Sequence, residues 1–149
     1  MKTWLVTLLS TILFFSHYAD ASQGGQMQVF GDYEIHYMGL TTEFLKPDVA
    51  AAYNITRSRS MGYLSISILK RDNNGGMAKP MTGQVKGQIR NLLGQSRELS
   101  FNEVKQGESV YYLSTFRFDD KDMYNIRLQV SPSDISRSFD VNFSQRFYQ

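Results

Sequence analysis

Few side chains in this sequence could carry out chemistry, and His36 is the first of them. It is one of two histidines in 149 residues, and the other, His17, lies in a segment that we expect to be removed. An imidazole can act as a general base or bind a metal ion. A typical zinc site, however, combines several histidine and cysteine ligands, and the sequence has 0 Cys. Because His36 falls on the polar side of an alternating run, we expect an ordinary surface histidine.

Two other patterns resemble functional motifs without completing them, and a third motif is absent. The acidic run Asp119-Asp120-Lys121-Asp122 has carboxylates that suit Ca²⁺, but its spacing does not match a twelve-residue EF-hand loop. The run from Asp72 to Gly76 lacks the Gly-Lys-Ser/Thr ending of a phosphate-binding loop. No serine lies in the Gly-x-Ser-x-Gly pattern of a hydrolase nucleophile. The sequence therefore predicts two solvated turns, no catalytic residue, no cofactor, no metal site and no enzyme activity.

Arginine and tyrosine side chains provide the candidate interaction surface. Arg57 and Arg59 lie close in sequence to Tyr53 and Tyr63, and both residue types are enriched at the centres of protein interfaces. The alternative is a solvated loop that caps a short helix. Tyr111 is a further candidate, since we expect it to lie beside an edge strand, where a partner could add a strand.

The strand pattern that must position these residues is organised around residues 62–70. Leu64, Ile66 and Ile68 alternate with serines there, which is typical of a half-buried strand, and we expect this strand to be central. Seven strands are predicted in all, at residues 28–38, 62–70, 80–91, 97–104, 109–118, 124–130 and 138–144. Short turns between them favour an all-β fold, an immunoglobulin-like antiparallel β-sandwich, with a β-barrel as the alternative.

One short helix is predicted within residues 45–53. Pro47 suits the first helical position, and Asn54 can end the helix in a left-handed conformation. A helix of about two turns is marginal by itself. We therefore expect it to be held by packing of Leu45, Val49 and Tyr53.

The first 21 residues are predicted to be a signal peptide. Lys2 is followed by the apolar run Trp4–Phe15, which is shorter than the roughly 20 residues that span a bilayer. Ala19-Asp20-Ala21 resembles a signal-peptidase site, so cleavage is expected after Ala21. The mature chain, 22–149, would be one periplasmic domain that does not insert stably into the membrane, with full secretion as the alternative.

Charge argues against nucleic acid as a partner. The formal net charge is +2, and both signs are spread along the chain. A nucleic-acid binder normally shows a clustered basic surface. The expected partner is instead another envelope protein.

Several segments resemble one family of small exported bacterial proteins. They are Phe30-Gly31-Asp32-Tyr33-Glu34-Ile35-His36-Tyr37, Phe44-Leu45-Lys46-Pro47-Asp48-Val49-Ala50, Asn91-Leu92-Leu93-Gly94-Gln95 and Val110-Tyr111-Tyr112-Leu113. The family is classed only as a domain of unknown function, family 4426, and the resemblance covers nearly the whole mature chain. It implies a bacterial envelope domain with no assigned activity and provides no catalytic residues.

Three functions are open at this point. The first is a non-catalytic module that acts through protein contact in the envelope. The second is a small-ligand binding module whose pocket is lined by tyrosines and an arginine. The third, an envelope hydrolase, has only His36 and scattered carboxylates in its favour.

Overall fold

Residues 26–149 are described by a computed structural model, so the signal-peptide prediction and the cleavage site after Ala21 lie outside the described residues. Ten strands form most of this part of the chain: β1 (Gln26–Phe30), β2 (Tyr33–Thr41), β3 (Met61–Lys70), β4 (Lys79–Met81), β5 (Gly83–Asn91), β6 (Ser96–Leu99), β7 (Asn102–Gln106), β8 (Ser109–Arg117), β9 (Met123–Pro132) and β10 (Phe139–Arg146). A 3₁₀ turn (Thr42–Phe44) and one helix, α1 (Pro47–Ala52), connect β2 to β3.

The strands form two antiparallel sheets. The six-stranded sheet has the order β1-β2-β3-β8-β7, with β4 also paired to β3, and the four-stranded sheet has the order β10-β9-β5-β6. Their apolar faces enclose one core, so the predicted all-β, immunoglobulin-like antiparallel sandwich is confirmed. No closed barrel forms within residues 26–149.

Strand β3 is central, as the alternating pattern predicts. It pairs with β2 on one side and with β8 and β4 on the other. Leu64, Ile66 and Ile68 are fully buried between the sheets. Burying a side chain of this size stabilises the fold by about 1.5–3 kcal/mol.

Three of the seven predicted strands are each two strands in the structure, which accounts for the total of ten. The first predicted strand, 28–38, turns back at Gly31-Asp32 to form the β1–β2 hairpin, in which Phe30 faces Tyr33. Gly31 has a φ of +62°, as the first position of a type II′ hairpin turn requires.

The other two divided strands cross from one sheet to the other. In 80–91, β4 belongs to the six-stranded sheet and β5 to the four-stranded sheet, with Thr82 between them. A methyl group on Gly83 would collide with the backbone of Ser131, so glycine permits the close approach at this crossing. In 97–104, the crossing falls between β6 and β7.

Helix α1 lies on the outer face of the six-stranded sheet and forms as predicted. Pro47 occupies its first turn, and Asn54 follows its end with a φ of +52°. Leu45 and Ala50 are buried against Tyr63 and Leu113 of the sheet. This packing supplies the stability that so short a helix lacks by itself.

Side chains from one sheet bind the backbone of the other where β1 and β2 face β10. The Gln28 amide donates to the carbonyl of Asn142 at 3.0 Å, and the Gln145 amide donates to the carbonyl of Gly39 at 2.8 Å. Phe147 closes the same end of the core and is only 2% exposed, with its ring packed against several aromatic residues, Phe116, Phe118 and Tyr124.

No helix in the described part of the chain, residues 26–149, has the length and hydrophobicity needed to cross a bilayer.

Candidate interaction surface

The 3₁₀ turn after β2 is fixed by one buried threonine. Thr42 has no exposed surface, and its hydroxyl accepts a hydrogen bond from the Ser58 N–H at 2.9 Å. The same hydroxyl can donate to the carbonyl of Thr56 at 3.0 Å or to that of Ser58 at 3.1 Å. The turn is therefore bound to the loop that leads into β3.

Both candidate arginines contact the next residue of that turn, Glu43. The Arg57 guanidinium donates to the backbone carbonyl of Glu43 at 2.7 Å, and Nε of Arg59 lies 3.4 Å from the Glu43 carboxylate. Arg59 remains 74% exposed, so this ion pair contributes little to stability. The contacts instead set where the two cationic groups lie.

Phe44 follows Glu43 and points largely into solvent, with 75% of its surface exposed. Its backbone is nevertheless fixed, because Thr42, two residues before it, and Leu45, directly after it, are buried. We call Phe44, Arg57 and Arg59 the turn surface. It combines an exposed aromatic ring with two arginines, a composition found at the centres of interfaces.

The turn surface is positively charged. Arg57 and Arg59 contribute two positive charges, and the neighbouring Glu43 carboxylate offsets one of them. Among residues 26–149, Arg59 is paired with a carboxylate, whereas the contact of Arg57 is with a neutral carbonyl.

The three candidate tyrosines form a second group, made by Tyr53 at the end of α1 and by Tyr63 and Tyr111 on the sheet beside it. Tyr63 is buried, and Tyr53 and Tyr111 are half-buried around it. Burial is the main cause that raises the pKa of Tyr63, and the neighbouring Tyr53 and Tyr111 raise it further. The Tyr53 hydroxyl also donates to Gln106 on β7 at 3.3 Å. These rings hold the helix on the sheet, so Tyr63 supports the fold at this position and is not part of the outer surface.

Tyr111 lies on β8, directly opposite Val104 of the edge strand β7. It is therefore beside an edge, as expected from the sequence. Whether any of the five residues binds a partner stays a prediction.

Sequence reasoning did not identify Phe44. An aromatic residue in an all-β protein is expected to fill the core, and nothing local shows that this one is left outside. The flanking residues Thr41-Thr42-Glu43 and Lys46-Pro47 favour a turn, but a turn by itself does not indicate that the Phe44 ring is exposed.

His36 occupies the outer face of β2 and is 37% exposed. Its Nε2 lies 3.1 Å from the Glu34 carboxylate, and the other oxygen of that carboxylate lies 3.2 Å from Nε of Arg71. Within residues 26–149 no group of three or more His, Cys, Asp or Glu side chains is placed to hold a metal ion.

The two predicted turns are present. Asp72 accepts the backbone N–H of Asn74 at 3.0 Å through its side chain, and Gly75 has a φ of +79°. In the acidic run, Lys121 takes a φ of +63°, and the Asp122 N–H donates to the carbonyl of Asp119 at 3.2 Å.

A depression of about 940 Å³ crosses the outer face of the four-stranded sheet. Its lining is mostly polar and includes Lys86, Gln88, Arg127 and Asp140, and none of the five predicted residues lines it. It therefore differs from the tyrosine-lined pocket that the ligand-binding alternative requires.

Solved structures share this fold. A family protein from Pseudomonas aeruginosa PAO1 is 25% identical, with a TM-score of 0.73 over 85% of this chain and 97% of that one. FetP of uropathogenic Escherichia coli strain F11, expressed in the periplasm, is 12% identical, with a TM-score of 0.59 over 83% and 93% of the two chains.

A copper-bound variant of Campylobacter jejuni P19 is also 12% identical, with a TM-score of 0.55 over 83% of this chain and 94% of that one. At 12% identity these two likenesses show the fold alone. No curated protein matches the chain. The family model of the domain of unknown function DUF4426 matches residues 27–149, and the chain belongs to this family.

Proposed function

We propose that this protein is an exported, non-catalytic module that acts in the periplasm by binding another envelope protein through the turn surface. The observation that carries the proposal is Phe44, which is 75% exposed on a turn whose backbone is fixed by the buried Thr42. Export is supported by the apolar run Trp4–Phe15 and by Ala19-Asp20-Ala21.

A turn whose backbone is already fixed favours binding, because little conformational entropy is lost when the partner docks. Immobilising a flexible side chain at an interface costs about 0.5–1.5 kcal/mol. Here the Arg57 guanidinium is already held by its hydrogen bond to the backbone carbonyl of Glu43. Burial of the Phe44 ring against a partner would contribute about 1.5–3 kcal/mol.

The charge of the turn surface indicates the partner's chemistry. Arg57 contacts only a carbonyl of Glu43 within the described residues, so it is available for a carboxylate. A planar guanidinium binds a carboxylate through two parallel hydrogen bonds. The partner should therefore present an apolar pocket for Phe44 with an acidic side chain next to it.

A photo-cross-linking residue at position 44 tests this proposal in cells that export the full chain. The matched control places the same residue at Met77, which is 90% exposed and lies in the β3–β4 loop. We expect one dominant envelope protein to be captured from position 44 and not from position 77. Equal capture from both positions, or none from position 44, would overturn the proposal.

Two substitutions then separate the contributions of the Phe44 ring and the Arg57 charge to binding. Phe44→Ala, measured with the photo-cross-linking residue moved to position 59, and Arg57→Gln, measured with it at position 44, should each reduce the captured amount. The loss in Arg57→Gln should shrink as salt is added, because salt screens exposed charges. Both side chains are at the surface, so the free energy of unfolding should change by less than about 0.5 kcal/mol. With the photo-cross-linking residue at position 59, Phe44→Ala could give as much cross-linked complex as the chain that keeps Phe44. That result would count against the turn surface as the binding site.

A further inference from the structure

Two methionines and the histidine lie together on the outer face of β1 and β2. Met27 is the direct cross-strand partner of His36, and such partners have Cβ atoms about 4.5–5.5 Å apart. Met38 lies two residues beyond His36 on the same strand, so it points to the same face. A methionine side chain is long and flexible enough for both sulfur atoms to reach the imidazole.

These three side chains are accessible to a small ligand. Met27 is 54% exposed, Met38 is 38% exposed and the His36 side chain is 37% exposed. On the neighbouring strand β3, the partners of His36 and Met38 are Ser67 and Ser65. Because serine side chains are short, they leave space above the sheet on that side.

The histidine is also oriented by a carboxylate. Nε2 of His36 lies 3.1 Å from Glu34, which in turn is paired with Arg71 at 3.2 Å. A carboxylate that accepts the Nε2 proton leaves the Nδ1 lone pair available. Histidines that bind metals commonly donate their other ring N–H to a carboxylate in this way.

We propose that Met27, His36 and Met38 form a binding site for Cu(I). Two thioether sulfurs and one imidazole nitrogen are a soft ligand set, and soft thioether ligands select Cu(I) among the common biological metals. The site has no thiolate and only one histidine, so it does not suit Zn²⁺. Glu34 acts on the metal only through His36, as a positioning residue.

The test is competition for Cu(I) between the full mature chain and a coloured Cu(I) chelator, without oxygen. We expect one Cu(I) per chain, and binding about 10- to 100-fold weaker in Met27→Leu, Met38→Leu and His36→Gln, since even loss of an orienting partner has effects of that size. Met77→Leu is the matched control, because Met77 is 90% exposed and lies in the β3–β4 loop. It should bind as the wild type does.

A second measurement distinguishes this site from general surface binding. X-ray absorption of the Cu(I) complex should show sulfur and nitrogen neighbours, with the sulfur contribution reduced in Met27→Leu and in Met38→Leu. The proposal would be overturned by equal affinity in the wild type and the M27L/M38L double variant. Loss of affinity in Met77→Leu, or a spectrum with only nitrogen and oxygen neighbours, would also overturn it.

Discussion

Removal of the Thr42 hydroxyl is the most direct test of how the turn surface is held. Thr42→Val keeps the shape of the side chain but removes the oxygen that binds Ser58 N–H at 2.9 Å and faces two carbonyls. Because Thr42 is fully buried, water cannot replace the lost partner. An unsatisfied buried polar group costs about 1–3 kcal/mol.

We therefore expect the free energy of unfolding to fall by about 2 kcal/mol in Thr42→Val, as measured by urea denaturation. For a domain of this size, that corresponds to a decrease of roughly 8 °C in the midpoint of thermal unfolding. Thr115→Val is the matched control, because Thr115 lies exposed on β8. It should change the free energy of unfolding by less than about 0.5 kcal/mol.

Equal stabilities for the Thr42 and Thr115 variants would refute the reasoning, since the hydroxyl would then contribute nothing to the turn. The two positions have the same side chain and differ in burial and hydrogen bonding. A third measurement connects the fold to the proposed function. Cross-linking from position 44 should weaken in Thr42→Val even at temperatures where the domain remains folded.

Three further changes test the sandwich itself. Tyr112→Phe removes a hydroxyl that accepts the Gly83 N–H at 2.7 Å and donates to Glu103 at 2.9 Å. The free energy of unfolding, measured by urea denaturation, should therefore fall by about 1–3 kcal/mol. NMR titration should show the pKa of Glu103 rising toward its ordinary value, because this hydrogen bond is the main cause that lowers it. Lys70→Gln should raise the lowered pKa of Asp134, whose main cause is the hydrogen bond from Lys70. In the wild type, the stability that Asp134 contributes is present above its unfolded pKa and is lost as the pH falls through its folded pKa. The free energies of unfolding of the wild type and of Lys70→Gln should therefore differ above about pH 4 and converge in stronger acid. Gly62→Ala should lower the free energy of unfolding by about 1–3 kcal/mol, since a methyl group there would collide with the buried ring of Phe116.

Matched controls accompany these three changes. Tyr148→Phe alters a tyrosine that is 57% exposed, and Lys86→Gln removes an exposed lysine on β5. Gly76→Ala places a methyl group near only the flexible side chain of Asp72. Each control should leave the free energy of unfolding nearly unchanged, and a control that destabilises as much as its test variant would contradict the corresponding argument.

The sequence was sufficient to predict the sandwich, the central strand and the short helix. These features depend on local patterns: the alternation of Leu64, Ile66 and Ile68, and Pro47 with Asn54 at the ends of α1. Each pattern has a direct physical consequence within a few residues, so no knowledge of distant contacts was needed.

The division of three predicted strands into two strands each was harder to predict from the sequence. The Gly31-Asp32 turn did have a local signal, because glycine followed by aspartate is typical of a two-residue hairpin turn. The crossing at Thr82 did not, because Met81, Gly83 and Val85 keep the same alternation on both sides of it. At Gly83, the deciding contact is with Ser131, nearly fifty residues away.

The candidate site was predicted only in part, because the contacts that build it also join residues far apart in the sequence. The composition of the segment identified Arg57 and Arg59, but their common contact with Glu43 joins two loops and cannot be deduced from spacing. The exposure of Phe44 depends on the buried hydroxyl of Thr42. A neighbouring tyrosine, Tyr63, is buried because α1 happens to cover it.

The position of Phe147 bears on how the newly made chain reaches its native state. This ring packs between aromatic residues of both sheets and is almost wholly buried. It belongs to the segment that follows β10, so water cannot be excluded from this end of the core until that segment has docked across both sheets. A chain whose sheets have paired while residue 147 is still outside would therefore be a loosely packed form and not the native state.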